Sequence, residues 1–400
     1  MKVNSFFHTP DACTACTICV THCPVAKATL KFRGPKLTGP AYERFRLLGF
    51  GDEASLEYCS NCKNCDISCP SDVPVATFNM LARAAYCREN PQPLRDWILA
   101  HSGDLGKLTA LFPAWVLNFG MNNPISRLAA HILGIEKRAP LPSFGSLDAR
   151  RALDRSKPVG STEKTLVFFP GCFIRYYDPQ TGLDLISVFE KAGYSVLVSK
   201  EFECCGLPMV AGGYADDARD KARNNSMELS HWAKQGIPVI TACPSCALML
   251  KHEYHDLFPD EGLDNHAGHI IDACELIMDL IRFEELKLKH PEKKQRIAYH
   301  APCHLRAQGT GRNGLDLLRM VPGIEVTDMD AGCCGISGSY GFKRGKYDIS
   351  MAVGADLFHA LKTSKALLSA SECGTCRIQM QHGSGIPAVH PISLVLQAVG

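Results

Sequence analysis

Short apolar runs, rich in β-branched and aromatic residues, alternate with longer segments of helical spacing over the second part of the chain. Such alternation predicts βαβαβ units, whose parallel strands bring all their carboxyl ends to one edge of a sheet. Matching runs recur after about 130 residues, the size of one small domain, so we expect a duplication. The runs are Thr165 to Phe169, Tyr194 to Ser199, Ile237 to Thr241, Arg296 to His300, Ile324 to Asp328 and Ala366 to Ala370.

The earlier part of the chain has helical rather than strand periodicity. Val75 to Arg88 is rich in alanine with apolar spacing, and Tyr42 to Phe50 is helix-like after two Gly-Pro turns. Leu105 to Ile135 also has helical spacing, which Pro113 and Pro124 break into short helices. The pattern predicts an α+β multidomain chain: a helical domain over 1–104, amphipathic helices and a polar linker over 105–163, and duplicated α/β domains with short parallel sheets over 164–292 and 293–400.

Composition narrows the class of protein. The 400 residues are 46% hydrophobic, and 43 Lys and Arg against 41 Asp and Glu give a net charge of only +2, so no nucleic-acid partner is expected. Twenty cysteines at ligand-like spacings indicate metal rather than disulfides. We expect a cytosolic chain with reduced thiols, because its start shows no signal-peptide pattern and no apolar run reaches the ~18 residues of a membrane span.

Eight cysteines near the amino terminus form two copies of a CxxCxxCxxxCP pattern, which is the spacing of ferredoxins with two [4Fe-4S] clusters. In that arrangement three thiolates of each run hold one cluster, and the fourth reaches the other cluster. Zinc is the alternative, but zinc sites rarely use eight cysteines in two such runs. The predicted ligand sets are Cys13, Cys16, Cys19 and Cys69 for one cluster, and Cys59, Cys62, Cys65 and Cys23 for the other.

Each duplicated unit carries five further cysteines directly after its predicted strands. Five thiolates are one more than a zinc ion or a cubane cluster takes, and an adjacent cysteine pair suits a more extended cluster. Gly206 and Gly335 follow the pairs and allow a tight turn there. Structural or zinc-bound cysteines are the alternative. The two sets are Cys172, Cys204, Cys205, Cys243 and Cys246, and Cys303, Cys333, Cys334, Cys373 and Cys376.

The order of a single cysteine, a CCG and a CxxC, present twice, resembles the cysteine-rich CCG domains of heterodisulfide reductase and its relatives. With the ferredoxin unit in front, the chain resembles the C subunits of anaerobic glycerol-3-phosphate dehydrogenases along nearly its whole length, including YCSNCKNCDISCPSDV at the second ferredoxin motif and HPISLVLQAVG at the end. This resemblance implies that the ten cysteines bind one or two noncubane iron-sulfur centres, and it leaves zinc open for one of the two sets.

The same resemblance implies an electron-transferring, quinone-reducing subunit of an oxidoreductase complex. Its A-type and B-type flavoprotein partners would oxidise glycerol 3-phosphate, and this subunit would pass the electrons to menaquinone as a peripheral protein on the cytoplasmic side of the inner membrane. We expect no flavin of its own, because no flavin signature is visible. The GTGRNG stretch ending at Gly314 does not leave a strand directly, as a dinucleotide fingerprint must.

Three other functions stay open. One is a heterodisulfide reductase-like catalytic subunit, and another is the iron-sulfur subunit of a glycolate or lactate oxidation system. In the third, one CCG domain is a zinc-bound scaffold that only holds partners together.

Two residues are candidates for proton transfer near a cluster. His304 follows Cys303 directly, and Tyr340 lies close after the second CCG. Histidine titrates near neutrality, so it suits this role, although such residues more often orient or shield a metal site. The two cysteines outside all the sets, Cys87 and Cys274, are predicted to be packing residues.

Two surfaces are predicted from charge and apolar spacing. One is a basic connection between the ferredoxin motifs, either a solvated face or a docking surface for an acidic partner. The other is the helical stretch from Leu105 to Ile135, which is either core packing or an amphipathic membrane surface. The basic residues of the connection are Lys27, Lys31, Arg33, Lys36, Arg44 and Arg46, and those that follow the helices include Arg127, Lys137, Arg138, Arg150, Arg151, Arg155 and Lys157.

Overall fold

The computed structural model describes residues 9–51, 53–154, 164–263, 266–290 and 294–399. The part before residue 155 is helical, with short 3-10 turns and a π-type turn at Leu37–Ala41. Its helices are α1 (Ile18–Thr21), α2 (Pro24–Ala28), α3 (Tyr42–Leu47), α4 (Asn64–Ile67), α5 (Val75–Glu89), α6 (Leu94–Ala100), α7 (Ser102–Thr109), α8 (Ala114–Asn122), α9 (Pro124–Ile132) and α10 (Leu147–Asp154).

The first duplicated unit is a four-stranded parallel sheet in the order β2-β1-β3-β4, with helices after each strand. Its register pairs Thr165 with Ser195 and Val239 with Ile270. The elements are β1 (Thr165–Phe168), α11 (Gly171–Tyr176), α12 (Pro179–Lys191), β2 (Ser195–Val198), α13 (Leu207–Gly212), α14 (Ala215–Lys234), β3 (Val239–Thr241), α15 (Pro244–Leu248), α16 (Tyr254–Leu257), β4 (Ile270–Asp272) and α17 (Ala273–Arg282).

The second unit repeats this topology, with the parallel order β6-β5-β7-β8. Its elements are β5 (Gln295–Tyr299), α18 (Cys303–Arg306), α19 (Asn313–Met320), β6 (Ile324–Asp328), α20 (Tyr347–Thr363), β7 (Leu368–Ala370), α21 (Gly374–Ser384), β8 (Ala388–Val389) and α22 (Pro391–Ala398). The predicted fold class, a helical amino-terminal domain followed by two duplicated α/β units, is therefore confirmed.

Each of the six predicted runs overlaps a strand, with differences of at most two residues at either end, and Ile324–Asp328 has the predicted bounds. The fourth strand of each sheet was missed. β4 spans three residues and β8 spans two. Such short segments show too little alternation to stand out from their surroundings. Neither extra strand changes where the cysteines lie, because every cysteine motif follows one of the first three strands of its sheet.

One apolar core joins the two duplicated units. Phe168 and Phe189 of the first unit are fully buried, and they share a cluster with Leu317, Ile392 and Val395 of the second. Burying side chains of this size contributes about 1.5–3 kcal/mol each. The two sheets are therefore held in one fixed relation by α12, α19 and α22.

Polar contacts, several of them buried, attach the helical domain to these units. Lys63, between two ferredoxin cysteines, makes a 2.8 Å ion pair with Glu253 of the first unit, and each side chain is only 4% exposed. His304 Nε2 lies 2.9 Å from the carbonyl oxygen of Asn61. Buried charge requires a partner, so these contacts fix the second ferredoxin loop against both units.

The stretch from Leu105 to Ile135 is buried only near its two ends, where the buried residues include Gly106 and Ile135. α8 and α9 have no buried residue. Among the described residues, no helix is both long enough and apolar enough to cross a membrane. We name the exposed apolar side chains of this stretch the α8–α9 surface; they are Leu108, Leu111, Phe112, Trp115, Phe119, Ile125, Leu128, Ile132 and Leu133.

The segment predicted as a polar linker differs from expectation. Its first part is helix α10. Arg150 is buried there, and its guanidinium donates to the carbonyl oxygens of Thr109 and Phe112. Arg155 and Lys157, together with the predicted domain limits at 163/164 and 292/293, lie outside the described residues. The predicted limit at 104/105 falls inside helix α7.

Candidate iron-sulfur centres

The first ferredoxin set, Cys13, Cys16, Cys19 and Cys69, lines one small cavity together with Lys36 and Val75. Left-handed turns at Ala15 and Thr17 bend the loop so that its thiols point to one side. Burial raises the pKa of Cys19, and the thiols of Cys13, Cys69 and Cys16 raise it further. The structure thus brings together the four cysteines predicted as one set, including the one from the other motif.

The second set, Cys23, Cys59, Cys62 and Cys65, lines a separate cavity with Phe32 and Pro35. Its loop repeats the left-handed turns, here at Asn61 and Lys63. Burial raises the pKa of Cys23 to about 11, with smaller contributions from Cys59 and Cys19.

The donors around these thiols suit iron-sulfur clusters. The Ala26 N–H lies 3.5 Å from Cys23 Sγ, and the Val73 N–H lies 3.3 Å from Cys69 Sγ. The Asn79 amide donates to Cys59 Sγ at 3.7 Å. Hydrogen bonds of this kind stabilise negative charge on cluster sulfur and tune its potential.

The first CCG set gathers at the carboxyl edge of its sheet, as predicted. Cys172 Sγ lies 3.6 Å from Cys204 Sγ. Hydrogen bonds with Cys172 and then Cys205 lower the pKa of Cys204, whereas a hydrogen bond with Cys205 raises that of Cys246. The thiol of Cys243 in turn interacts with Cys246, so all five side chains form one connected group.

The second CCG set repeats this pattern. Cys334 Sγ lies 3.2 Å from Cys376 Sγ. Hydrogen bonds with Cys303 and then Cys334 lower the pKa of Cys333, as the matching contacts do for Cys204. A hydrogen bond with Cys376 lowers the pKa of Cys373 to about 6. The glycines after the two pairs adopt φ of +84° and +86°, which confirms the tight turns predicted for Gly206 and Gly335.

The second set has one additional ligand candidate that the cysteine pattern did not reveal. A ring nitrogen of His300 and the sulfurs of Cys334 and Cys376 all lie within 4.8 Å of one another. Burial lowers the pKa of His300 to about 4, so the ring is neutral and able to coordinate. The matching residue of the first unit is Phe169, in FFPGC against YHAPC. Alignment of the two copies could have identified His300, because it is the histidine that replaces a phenylalanine.

His304 connects three of the sets. Its Nδ1 lies 2.8 Å from Ser245 Oγ in the first unit's CPSC loop, and its Nε2 faces the Asn61 carbonyl oxygen in the second ferredoxin loop. Facing a carbonyl, Nε2 carries a proton and donates it, while Nδ1 of a neutral ring accepts from Ser245. With both nitrogens engaged, the geometry favours a role in holding the sets together; proton transfer at His304 stays a prediction.

Tyr340 lies beside the second ferredoxin set rather than the second CCG set. It packs with Cys23, Phe32 and Ile349, and its hydroxyl is buried without a hydrogen-bond partner among the described residues. Burial raises the pKa of Tyr340, and the nearby thiol of Cys59 raises it further. Proton transfer by Tyr340 also stays a prediction, now at a different set.

Helix α7 covers the first CCG set. A Cβ on Gly103 would lie 2.8 Å from Cβ of Cys204 and 3.2 Å from Cβ of Cys172. Only a residue without a side chain allows this approach, and the cysteine spacing gave no sign of it. Of the remaining cysteines, Cys274 is buried in the shared core and Cys87 packs against Gly212, as expected for packing residues.

The four sets form a series. Cys19 of the first ferredoxin set contributes to the raised pKa of Cys23 in the second, after burial and Cys59. Burial raises the pKa of Cys62, and Cys333 of the second CCG set raises it further. The hydrogen bond with Cys246 lowers the pKa of Cys243, while burial and the nearby Cys373 of the second CCG set act in the opposite direction. Neighbouring sets are therefore within electrostatic reach from one end of the series to the other.

Comparison with known proteins agrees with this geometry. The family model described as a 4Fe-4S dicluster domain matches residues 10–73, and the CCG cysteine-rich domain matches twice, at residues 166–251 and 297–381. The C subunit of the anaerobic glycerol-3-phosphate dehydrogenase of Escherichia coli K12 is 37% identical over 97% of this chain and 98% of its own. The chain belongs to this family of C subunits. It is the iron-sulfur component of an oxidoreductase of this type.

Other relatives of this iron-sulfur component share parts of its plan. The glycolate oxidase iron-sulfur subunit of Escherichia coli K12 is 23% identical over 97% of this chain and 94% of its own. The D subunit of the dihydromethanophenazine:CoB–CoM heterodisulfide reductase of Methanosarcina barkeri is 30% identical over 59% of each chain. Similar chains are thus found in a glycolate oxidase and in a heterodisulfide reductase.

Proposed function

We propose that this chain transfers electrons from the flavoprotein subunits of an anaerobic glycerol-3-phosphate dehydrogenase to menaquinone at the cytoplasmic face of the inner membrane. The observation that carries the proposal is the series of four cysteine sets, in which Cys19 acts on the pKa of Cys23, Cys333 on that of Cys62, and Cys373 on that of Cys243. The family membership supports the choice of partner and substrate.

The residues present fit the groups that this function requires. The eight ferredoxin cysteines would hold two [4Fe-4S] clusters, and the ten CCG cysteines would hold noncubane centres, which supply one-electron redox chemistry when bound. The pKa of most of these thiols is raised, for Cys65 mainly by burial and for Cys376 by hydrogen bonds with Cys334 and Cys373, followed by burial. Their ionised form therefore needs the positive charge of a metal, which the clustered donors are placed to bind.

Electrons would enter at the first ferredoxin set. Cys16 is exposed, and so are the apolar residues Phe45, Leu48 and Phe50 on the surface formed by α3 and the residues after it. Arg44 ties this surface to the start of the motif, because it donates to the Pro10 carbonyl oxygen at 2.8 Å. An apolar patch next to basic side chains suits a flavoprotein subunit with an acidic rim.

The α8–α9 surface would rest on the membrane. Trp115, Phe119 and Ile125 are 74%, 71% and 82% exposed, and such aromatic and aliphatic side chains enter the boundary between headgroups and acyl chains. Arg127 and Arg138 are less available to anionic lipid than the sequence indicated, because Arg127 donates to the Ala139 carbonyl oxygen and Arg138 pairs with Glu136. Apolar contact, rather than charge, would provide most of the attachment.

The membrane role is tested with a matched pair of leucines. Leu111 lies on the α8–α9 surface and is 79% exposed, whereas Leu367 lies on the second CCG unit and is 85% exposed. We expect Leu111→Ser to reduce sedimentation with phosphatidylglycerol-containing vesicles, and Leu367→Ser to leave it unchanged. Equal sedimentation of the two variants would argue against this surface.

The substrate and acceptor are tested in the assembled complex. The chain is copurified without oxygen with its flavoprotein subunits, and glycerol 3-phosphate is added with menaquinone in vesicles. We expect cluster bleaching followed by quinol formation, and no bleaching with glycolate. Bleaching by glycolate alone would favour the glycolate oxidase type of complex, whose iron-sulfur subunit is also similar to this chain.

A second candidate function is disulfide reduction, which the similarity to the heterodisulfide reductase subunit favours. Reduced viologen would then drive cleavage of a disulfide substrate without a quinone. Zinc in one CCG set is a further alternative, and the His300, Cys334 and Cys376 group is a nitrogen and sulfur donor set that zinc accepts.

A further inference from the structure

A cleft of about 650 Å³ lies between the two duplicated units. One wall belongs to α11 and the loop after it, with Phe173 and Tyr177, and the other belongs to α21, with Arg377 and Ile378. This volume falls in the range of pockets that bind small organic molecules. The motifs of the sequence gave no indication of it, because its walls come from opposite units.

The floor of the cleft is formed by residues adjacent in sequence to cysteines of both CCG sets. Phe173 is the neighbour of Cys172, and its ring packs on Gly374, the neighbour of Cys373. The packing is so close that a Cβ on Gly374 would overlap the Phe173 ring. A molecule in the cleft would therefore lie next to residues that adjoin a cysteine of each set.

The remaining wall is a proline-containing strap, residues 140–143, which is tied to the α8–α9 surface. Asn118 of α8 donates to the Phe144 carbonyl oxygen at 3.0 Å and accepts from the Phe144 N–H at 2.7 Å. The Phe144 ring lies 4.9 Å from the ring of Tyr177, and Tyr177 lies 5.8 Å from Phe173. Hydrogen bonds from α8 thus hold the strap, and three aromatic rings lead from the strap to the floor of the cleft.

Polar and apolar side chains share the walls of the cleft, and the polar ones are Ser143, Asp178, Arg377, Gln381 and His382. Arg377 pairs with Asp178 at 2.8 Å, and its Nε is buried without a partner among the described residues. His382 lies at the rim, and its Nε2 is 2.8 Å from Tyr347 Oη. Aromatic and aliphatic walls, with a guanidinium as donor and an imidazole that can carry protons, suit a flat carbonyl compound, and the Asp178 carboxylate disfavours an anion.

We propose that this cleft binds the quinone ring, with Arg377 donating to one carbonyl oxygen and His382 supplying protons. The inference rests on the proposed function, and it assigns the site of that reaction. The quinone would take up two electrons, supplied by the partner flavin by way of the centres that the cysteines would hold, and two protons, which would come from solvent through His382 and Tyr347. Its two carbonyl oxygens become hydroxyls of the quinol.

The first test is labelling of the metal-loaded complex with a photoreactive azidonaphthoquinone, followed by peptide mapping. It needs no variant. We expect label on the strap or on α21, competed by unlabelled menaquinone. Competed label found only outside these segments would overturn the site.

The second test fills the cleft. Gln381 is exposed on the cleft wall, so Gln381→Trp should weaken quinone binding about tenfold or more, measured by quenching of the fluorescent analogue heptylhydroxyquinoline N-oxide. Gln397, exposed on α22 and not among the cleft residues, provides the control Gln397→Trp, which should bind as the unaltered chain does. Equal affinity in both variants would overturn the site.

The outcomes separate the site from the function. If the unaltered complex forms quinol but Gln381→Trp binds and reduces quinone normally, the cleft is wrong and the proposed function stands. If the unaltered complex is reduced by glycerol 3-phosphate but never forms quinol, the proposed function and the cleft both fall.

Discussion

The buried ion pair between Lys63 and Glu253 gives a prediction whose magnitude follows from the structure. Removal of Glu253 leaves the Lys63 ammonium in a site where its side chain is only 4% exposed. Two weaker contacts remain, with Asp66 at 3.6 Å and with Thr77 Oγ1 at 3.3 Å. Loss of one partner of a buried pair costs about 3–5 kcal/mol. Because of the remaining contacts, we expect Glu253→Ala to lower the free energy of unfolding by about 3 kcal/mol.

The assay is an anaerobic urea titration of the metal-loaded protein, with Glu285→Ala as the control. Glu285 pairs with Lys164 at 2.7 Å, but those side chains are 36% and 49% exposed, so the control should lose only about 0–1 kcal/mol. The double variant Lys63→Met, Glu253→Leu should recover most of the stability, because it removes both charges. Equal losses for Glu253→Ala and Glu285→Ala would refute the reasoning.

Three further predictions follow from single contacts. Gly103→Ala should remove metal from the first CCG set, measured as metal per chain, because its Cβ would lie 2.8 Å from that of a ligand candidate; Gly120→Ala, with nothing within 4 Å, should keep the full content. His304→Ala should cost about 1–3 kcal/mol and slow reduction of the CCG centres by dithionite, while the ferredoxin clusters are reduced at the normal rate. Burial lowers the pKa of His390 to about 3. As pH falls, its imidazole is therefore protonated in the unfolded chain before it is protonated in the folded one. Unfolding free energy should therefore drop below pH 6.5 by up to about 1.4 kcal/mol per pH unit, and a urea series should show a shallower drop in His390→Asn.

Local spacing was sufficient to predict the sets. The exchange of Cys23 and Cys69 between the two ferredoxin motifs was predictable, because the short loops supply only three thiols to one side. The convergence of each CCG set was also predictable, since parallel strands end at the same edge of a sheet. These features depend on the chain within one unit.

Contacts between the units could not be predicted from the sequence pattern. Asn61 and His304 are 243 residues apart, and Lys63 gives no sign that its partner is Glu253. The proposed quinone cleft likewise depends on how the shared core orients two similar sheets. Burial of α8 and α9 could not be judged from periodicity, because an amphipathic helix has the same spacing whether its apolar face meets protein or lipid.

The central claim is that all four cysteine sets hold iron-sulfur centres in one series. The most direct test is the iron and zinc content of the chain purified without oxygen, measured by plasma mass spectrometry. We predict about sixteen irons and no zinc per chain, as two cubanes and two four-iron CCG centres. About eight irons, confined to the ferredoxin motifs, would contradict the claim.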